Sequence, residues 1–178
     1  MKSSIEYPPR TIMEVYKNLP EGTLAELIEN VIYMSPSPAS THQRVLNKIN
    51  NVLFTYLEEQ NAGEVFIAPF DVYLDESSNA VQPDIIVVLK ANANIVEPNG
   101  HIHGVPDLLI EILSPGNKDH DLVKKKELYE RFGVKEYWIV DPQTKRTQGF
   151  QLKGKIYQVL FEGTGNIQST LLDLSFAF

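Results

Sequence analysis

Residues 106–115 run Pro106-Asp107-Leu108-Leu109-Ile110-Glu111-Ile112-Leu113-Ser114-Pro115. Between the turn formers at either end, Leu108 to Leu113 is all Leu and Ile apart from one acid. A short apolar run bounded in this way predicts a buried strand. Glu111 interrupts it. A strand covered on both faces has no natural place for a carboxylate, because a buried charge with neither partner nor metal is heavily penalised. Side chains alternate along a strand, so Leu109, Glu111 and Leu113 share one face and Leu108, Ile110 and Ile112 the other. What Glu111 faces is the functional question of the chain.

Working outward, Pro83-Asp84-Ile85-Ile86-Val87-Val88-Leu89 repeats the pattern upstream, with an acid at the mouth of a β-branched run. Downstream, a charged helix over roughly 119–132 ends at Gly133, and an apolar strand over 136–140 ends at Asp141-Pro142. On that helix Asp121, Lys125 and Tyr129 are four residues apart and share a face. If this face meets Glu111 and Asp84, two acids, a lysine and a phenol converge. Such a set suits phosphodiester hydrolysis. Two carboxylates hold Mg²⁺ or Mn²⁺, with water and a backbone carbonyl such as that of Ile112 filling other positions. The metal lowers the pKa of a bound water, and a lysine orients that water and stabilises charge at phosphorus.

Each residue also has a plain structural reading. Glu111 can form a buried ion pair with Lys125 or Lys124, Asp84 can be a turn or cap residue, and Tyr129 can lie at the core edge. His42 stands at a helix start, where a cap is the simpler role. Glu26 flanks an apolar strand and is a further site candidate. Of Lys124, Lys125 and Lys126, only one can point inward with Asp121. Asp107 is expected to order the turn into its strand, and His101-x-His103 has no third ligand nearby in sequence.

The rest of the chain supplies a frame. A short helix is expected over 9–18 and a hairpin over 24–35 around Glu29-Asn30. An amphipathic helix is expected from His42 to Gln60, capped by Ser40 or Thr41, with Val45, Ile49, Val52, Leu53, Tyr56 and Leu57 at spacings of three and four. A strand over 64–74, a polar loop over 90–105, a hairpin over 148–161 and a packed apolar tail over 171–178 complete the reading. The order from residue 41 is helix, three strands, helix, strand. It predicts a mixed sheet flanked by helices, α/β (α+β) in class, with the last strand parallel to its neighbour through a right-handed crossover.

Composition narrows the class. The 178 residues suit one domain spanning 1–178. With no cysteine, disulfides, thiolate metal sites and cysteine nucleophiles are excluded. No apolar run nears the roughly 20 residues that span a membrane, so a cytoplasmic protein with no membrane partner is expected. The net charge of −7 argues against a protein that coats nucleic acid. Lys145, Arg146, Lys153 and Lys155 lie in a stretch without acids, as a phosphate-facing patch or a solvated hairpin.

These motifs together resemble a large bacterial family of restriction endonucleases, long catalogued as a domain of unknown function, within the PD-(D/E)XK nuclease superfamily. The resemblance rests on Pro83-Asp84-Ile-Ile-Val-Val, on residues 106–115, on Asp121-x₃-Lys125-x₃-Tyr129 and on Gly133-Val-Lys-Glu-Tyr-Trp-Ile-Val-Asp141. Glu26-Leu-Ile-Glu-Asn-Val-Ile-Tyr-Met-Ser-Pro36 and His42 extend it over about residues 10–160. It implies a restriction-endonuclease-like core, DNA as substrate, and Asp84 and Glu111 in the two acid positions. Leu113 stands where the superfamily pattern puts lysine, and the resemblance implies that Lys125 supplies the amine instead. Glu26 would match an acid from the upstream region. A homodimer is expected for double-strand cleavage, with the tail and the C-terminal hairpin offering surface. The competing expectation is a non-catalytic module of the same fold, with Glu111 and Lys125 as a plain ion pair.

Overall fold

The computed structural model describes residues 8–114 and 120–178, the side chains of 120–122 excepted. The turn expected around Pro115-Gly116-Asn117 and the Asp121 side chain therefore lie outside the described residues.

The chain opens with helix α1 (Ile12–Lys17), whose N-cap Thr11 accepts the Glu14 N–H. The expected hairpin follows as β1 (Ala25–Ile28) and β2 (Val31–Met34), turning on Glu29 and Asn30, both at positive φ. Helix α2 (Ser40–Gln60) is capped before either expected residue: Ala39 is the N-cap and makes no side-chain bond, so Ser40 and Thr41 sit inside the first turn. Asn61, at φ 48°, ends it in the left-handed conformation. Next come β3 (Gly63–Ile67), β4 (Val72–Tyr73), β5 (Ala80–Val81) and β6 (Ile85–Leu89). A 3₁₀ turn over Lys90–Ile95 leads to β7 (Ile102–His103) and β8 (Leu108–Ile112). A π-helical turn over His120–Lys125 runs into α3 (Lys126–Phe132), which Gly133 closes at φ 91°. Strand β9 (Glu136–Val140), the hairpin of β10 (Arg146–Lys153) and β11 (Ile156–Thr164), and a second hairpin of β12 (Asn166–Ser169) and β13 (Leu174–Ala177) complete the fold.

The large sheet has the order β11-β10-β9-β8-β6-β3. Its β3-β6-β8 part is an antiparallel meander, and β9 lies parallel to β8, as the strand–helix–strand order predicted. A small sheet, β2-β1-β5-β4-β7, stands beside it, and β12-β13 pair with each other.

Two expectations are corrected. Residues 64–74 are not one strand but two, β3 and β4, in different sheets. Pro69 lies in the break, and it has no N–H with which to continue a ladder. Residues 90–105 are not a plain loop. They contain the 3₁₀ turn and β7, which pairs parallel with β4, elements too short to leave a periodic signal.

The alternation read in β8 sets the layers. Leu108, Ile110 and Ile112 pack in one cluster with Val45, Ile49, Leu53 and Leu57 of α2. Leu109 and Leu113 pack in the other with Ile86, Val88, Tyr129 and Tyr137. The apolar tail closes the first cluster through Leu172 and Phe178, as expected of a packed terminus. Among the described residues no helix is long and apolar enough to cross a membrane.

Candidate active site

The two sheets meet at Gln82-Pro83-Asp84, where the chain leaves β5 of the small sheet and enters β6 of the large one. Pro83 keeps the preceding residue extended, which favours this crossing. Asp84 stands at the seam. Its Oδ2 accepts the Ile112 N–H at 2.7 Å, so the end of β8 fixes one carboxylate oxygen. Its Oδ1 lies 3.1 Å from Nε2 of His42, in the first turn of α2. His42 is buried, and its Nδ1 has no hydrogen-bond partner among the described residues. A neutral imidazole donates to Asp84 only with its proton on Nε2.

Glu111 lies in β8, and its Oε1 accepts from Lys125 Nζ at 2.9 Å and from the Tyr129 hydroxyl at 2.8 Å. Lys125 and Tyr129 stand four apart, at the junction of the π-helical turn with α3. Turns of this kind recur at functional sites. Lys125 Nζ also lies 3.0 Å from Oε1 of Glu26, on β1 of the small sheet. The three side chains are only 5–7% exposed. One ammonium thus joins carboxylates from two sheets. Burial first, and then the negative charge of Glu111, hold the Tyr129 hydroxyl well above the usual phenol range, so it remains a donor.

The network continues through residues that the sequence did not single out. Glu26 Oε1 also accepts the Gln82 N–H at 2.8 Å. The Gln82 side chain donates to Oδ1 of Asp71 at 2.9 Å, and the Tyr16 hydroxyl lies 2.7 Å from the same oxygen. Burial first, with Asp71 beside it, raises the Tyr16 hydroxyl far above its ordinary value. Gln82 carried one signal, a polar residue directly before the Pro-Asp of a buried strand. Tyr16 and Asp71 are 55 residues apart and carried none.

Glu26, His42, Asp84, Glu111, Ile112 and Lys125 all line one cleft of about 220 Å³. Tyr129 reaches it through Glu111. Leu113, at the position where the superfamily pattern has lysine, is buried in the apolar core. Of the lysine triplet, Lys125 alone is buried. Lys124 is exposed, and Lys126 lies over the Phe150 ring at 4.3 Å. Asp107 orders its strand entry, accepting the Leu89 N–H at 2.8 Å and Lys135 Nζ at 2.6 Å. His103 pairs with Glu76 at 2.5 Å, while His101 packs against Phe70 and Tyr73. None of Lys145, Arg146, Lys153 and Lys155 lines the cleft.

A family model, Uma2, with the description "Putative restriction endonuclease", matches residues 13–177. The chain belongs to the Uma2 family. The Uma2 match runs from α1 into β13 and so takes in every residue of the cleft. Among solved structures, the chain is similar to one titled "Crystal structure of a putative nuclease belonging to DUF820 from Anabaena variabilis ATCC 29413". The TM-score is 0.75 at 21% identity, over 95% of each chain. That likeness is one of fold, and it agrees with the nuclease-like core of helix, meander, helix and strand. No curated protein matches the chain. Uma2 membership makes nuclease chemistry the activity class.

The donor set fits a hard divalent cation. Asp84 and Glu111 offer carboxylate oxygens to one cleft, beside the Ile112 backbone. Among the described residues no three His, Cys, Asp or Glu side chains are grouped to enclose an ion. Mg²⁺ commonly takes one or two carboxylates and completes its shell with water and phosphate oxygens, so an open pair suits it better than a closed cage.

Proposed function

We propose that this Uma2 protein is a Mg²⁺-dependent endonuclease, with Mn²⁺ as a substitute, that hydrolyses phosphodiester bonds of DNA in the cytoplasm. The observation that carries the reading is the junction of Asp84 and Glu111 with Lys125 at the seam of the two sheets. Asp84, Glu111 and the Ile112 carbonyl are the ligands in this reading. When bound, the metal acidifies water and offsets charge on the phosphate. The protein's own groups supply the rest. The Ile112 N–H and His42 hold Asp84 in one orientation. Tyr129 keeps its proton and steadies Glu111. Lys125 meets the attacking water and the phosphate oxygens as charge builds in line with the breaking P–O bond. Glu26, held by the Gln82 N–H, would keep Lys125 at that point with a cation on Glu111.

One observation favours a second reading, a non-catalytic module. Lys125 and Glu111 already form an ion pair in the fold. Supercoiled plasmid and single-stranded DNA incubated with Mg²⁺, Mn²⁺ or EDTA, beside Glu111→Ala, separate the two. Metal-dependent cleavage by the wild type alone is the expected result, and equal products from both proteins would overturn the assignment. We further propose a homodimer. Leu172 and Phe178 of the tail are buried, whereas the C-terminal hairpin keeps apolar surface on β11, where Ile156 and Val159 are 65% and 61% exposed. Sedimentation showing a monomer at working concentration would remove this proposal.

A further inference from the structure

The cleft has two kinds of wall. Besides its charged residues and the polar Ser35, Gln43, Gln82 and Ser114, it carries an apolar lining that includes Leu24, Met34, Pro36, Pro38, Leu46 and Pro69. Met34 is 64% exposed, so this apolar surface is open to solvent and not sealed by the fold. Tyr33 stands in the same lining, and Lys124 Nζ lies 3.1 Å from its hydroxyl and 5.1 Å from its ring centroid. The feature to be explained is an apolar lining that shares a small cleft with a phosphodiester site.

A nucleic acid has few groups that match such a lining. Phosphates and sugars are polar. The apolar faces of the bases are the exception, and in a duplex they are hidden in the stack. An unpaired strand can splay a base out and lay it on aromatic or apolar side chains. A duplex would instead need an extended basic face to follow its two phosphate rows. The chain carries a net charge of −7, and Lys125 is the one cation among the described residues lining the cleft.

We infer that the substrate of this cleft is an unpaired nucleic-acid strand, whose base beside the scissile phosphate lies against Tyr33, Met34 and the neighbouring prolines. The inference rests on the nuclease reading for the position of the phosphate. Tyr33 serves as the stacking platform, and Lys124 beside it meets the next phosphate. A duplex would enter only by releasing a base from its stack, at a cost that unpaired strands do not meet.

The test is fluorescence anisotropy of the full chain, in EDTA, with four labelled probes: a short single-stranded DNA, the RNA of the same sequence, the DNA duplex, and a strand with the same phosphates but abasic sugars. Single strands should bind about tenfold more tightly than duplex or abasic strand, the scale of one base stacked on an aromatic ring. The DNA and RNA arms identify the sugar. Met34→Ser should remove most of that preference while the melting temperature stays at the wild-type value, and Tyr33→Leu, which keeps apolar bulk against the core, should remove it as well. Equal binding of duplex or abasic strand, or no binding of any probe, would overturn the inference. A duplex cut with Mg²⁺ while single strands are left intact would also overturn it, and the nuclease reading would survive. Single-strand preference with no cleavage and no metal uptake would break the nuclease reading and leave the binding inference standing.

Discussion

Glu111 and Glu136 are buried acids on neighbouring parallel strands, β8 and β9, and they are used in opposite ways. Glu136 is saturated by neutral donors. Its Oε1 accepts from the Thr170 hydroxyl and the Leu171 N–H at 2.8 and 2.7 Å, and its Oε2 from Ser169 and Trp138 at 2.7 and 3.2 Å. Those donors tie the β12–β13 segment onto the large sheet. They are a backbone N–H, a packed indole and two hydroxyls, all of them neutral. Among the described residues Glu111 is held instead by an ammonium on a long side chain and by a phenol, and it lines an open cleft. Burial of an acid is therefore not in itself a mark of a site. What separates the two is whether the partners of the carboxylate are neutral dipoles or an ammonium, and under the proposed function a bound metal would take the place of that ammonium beside Glu111.

The sharpest test of that contrast is Glu111→Gln. We expect cleavage to fall by roughly 10²–10³-fold, on the scale of removing one transition-state contact, and calorimetric Mg²⁺ binding to vanish with little change in melting temperature. Retained metal binding would put the ligands elsewhere. Lys125→Met should lower cleavage by about 10²-fold or more. It should also destabilise the metal-free protein by about 3–5 kcal/mol, because Glu26 and Glu111 lose their shared cation. Added Mg²⁺ should then raise the melting temperature of this variant more than that of the wild type. An equal rise in both would argue against exchange between ammonium and metal. Glu136→Gln should do the reverse of Glu111→Gln. An amide turned toward Trp138 and Ser169 leaves a donor facing donors, a loss of about 1–3 kcal/mol seen in denaturant melts, with plasmid nicking unchanged. Loss of nicking there would dissolve the distinction.

The smallest effect is on the alkaline side. Tyr129, Tyr16 and Tyr157 all have hydroxyls raised by burial, so the folded state holds these protons more tightly than the unfolded chain. Their contribution is complete below the ordinary phenol value of about 10 and is lost progressively as pH rises above it. Melting temperature should be flat to about pH 9 and then decline. Tyr157→Phe, which gives up only the bond to the Val134 carbonyl, should make that decline shallower. A slope unchanged in the variant would remove Tyr157 from the alkaline response.

Much of this was legible in the chain. Leu108–Leu113 announced a strand covered on both faces, and its alternation assigned Leu108, Ile110 and Ile112 to one core layer and Leu109 and Leu113 to the other. The four-residue spacing of Lys125 and Tyr129 placed both on one face, and both reach Glu111. Beyond its β1–β2 hairpin, the small sheet was not legible. Strands β4, β5 and β7 have two residues each, below the length at which a period of two can be seen. Glu136 was missed because its partners, Ser169 to Leu171, lie more than thirty positions away.

The sequence by itself determined the order of the core elements and the strand faces, because these follow from local periodicity, and its ordered motifs carried the resemblance that implied the class of chemistry. Only the tertiary structure decided which acids share a cation. Glu26, Asp84, Glu111 and Lys125 come from two sheets and a helix. Hydrogen-bond distances of 2.7–3.1 Å among them and their neighbours His42 and Ile112 depend on how the packed cores bring those elements to one seam.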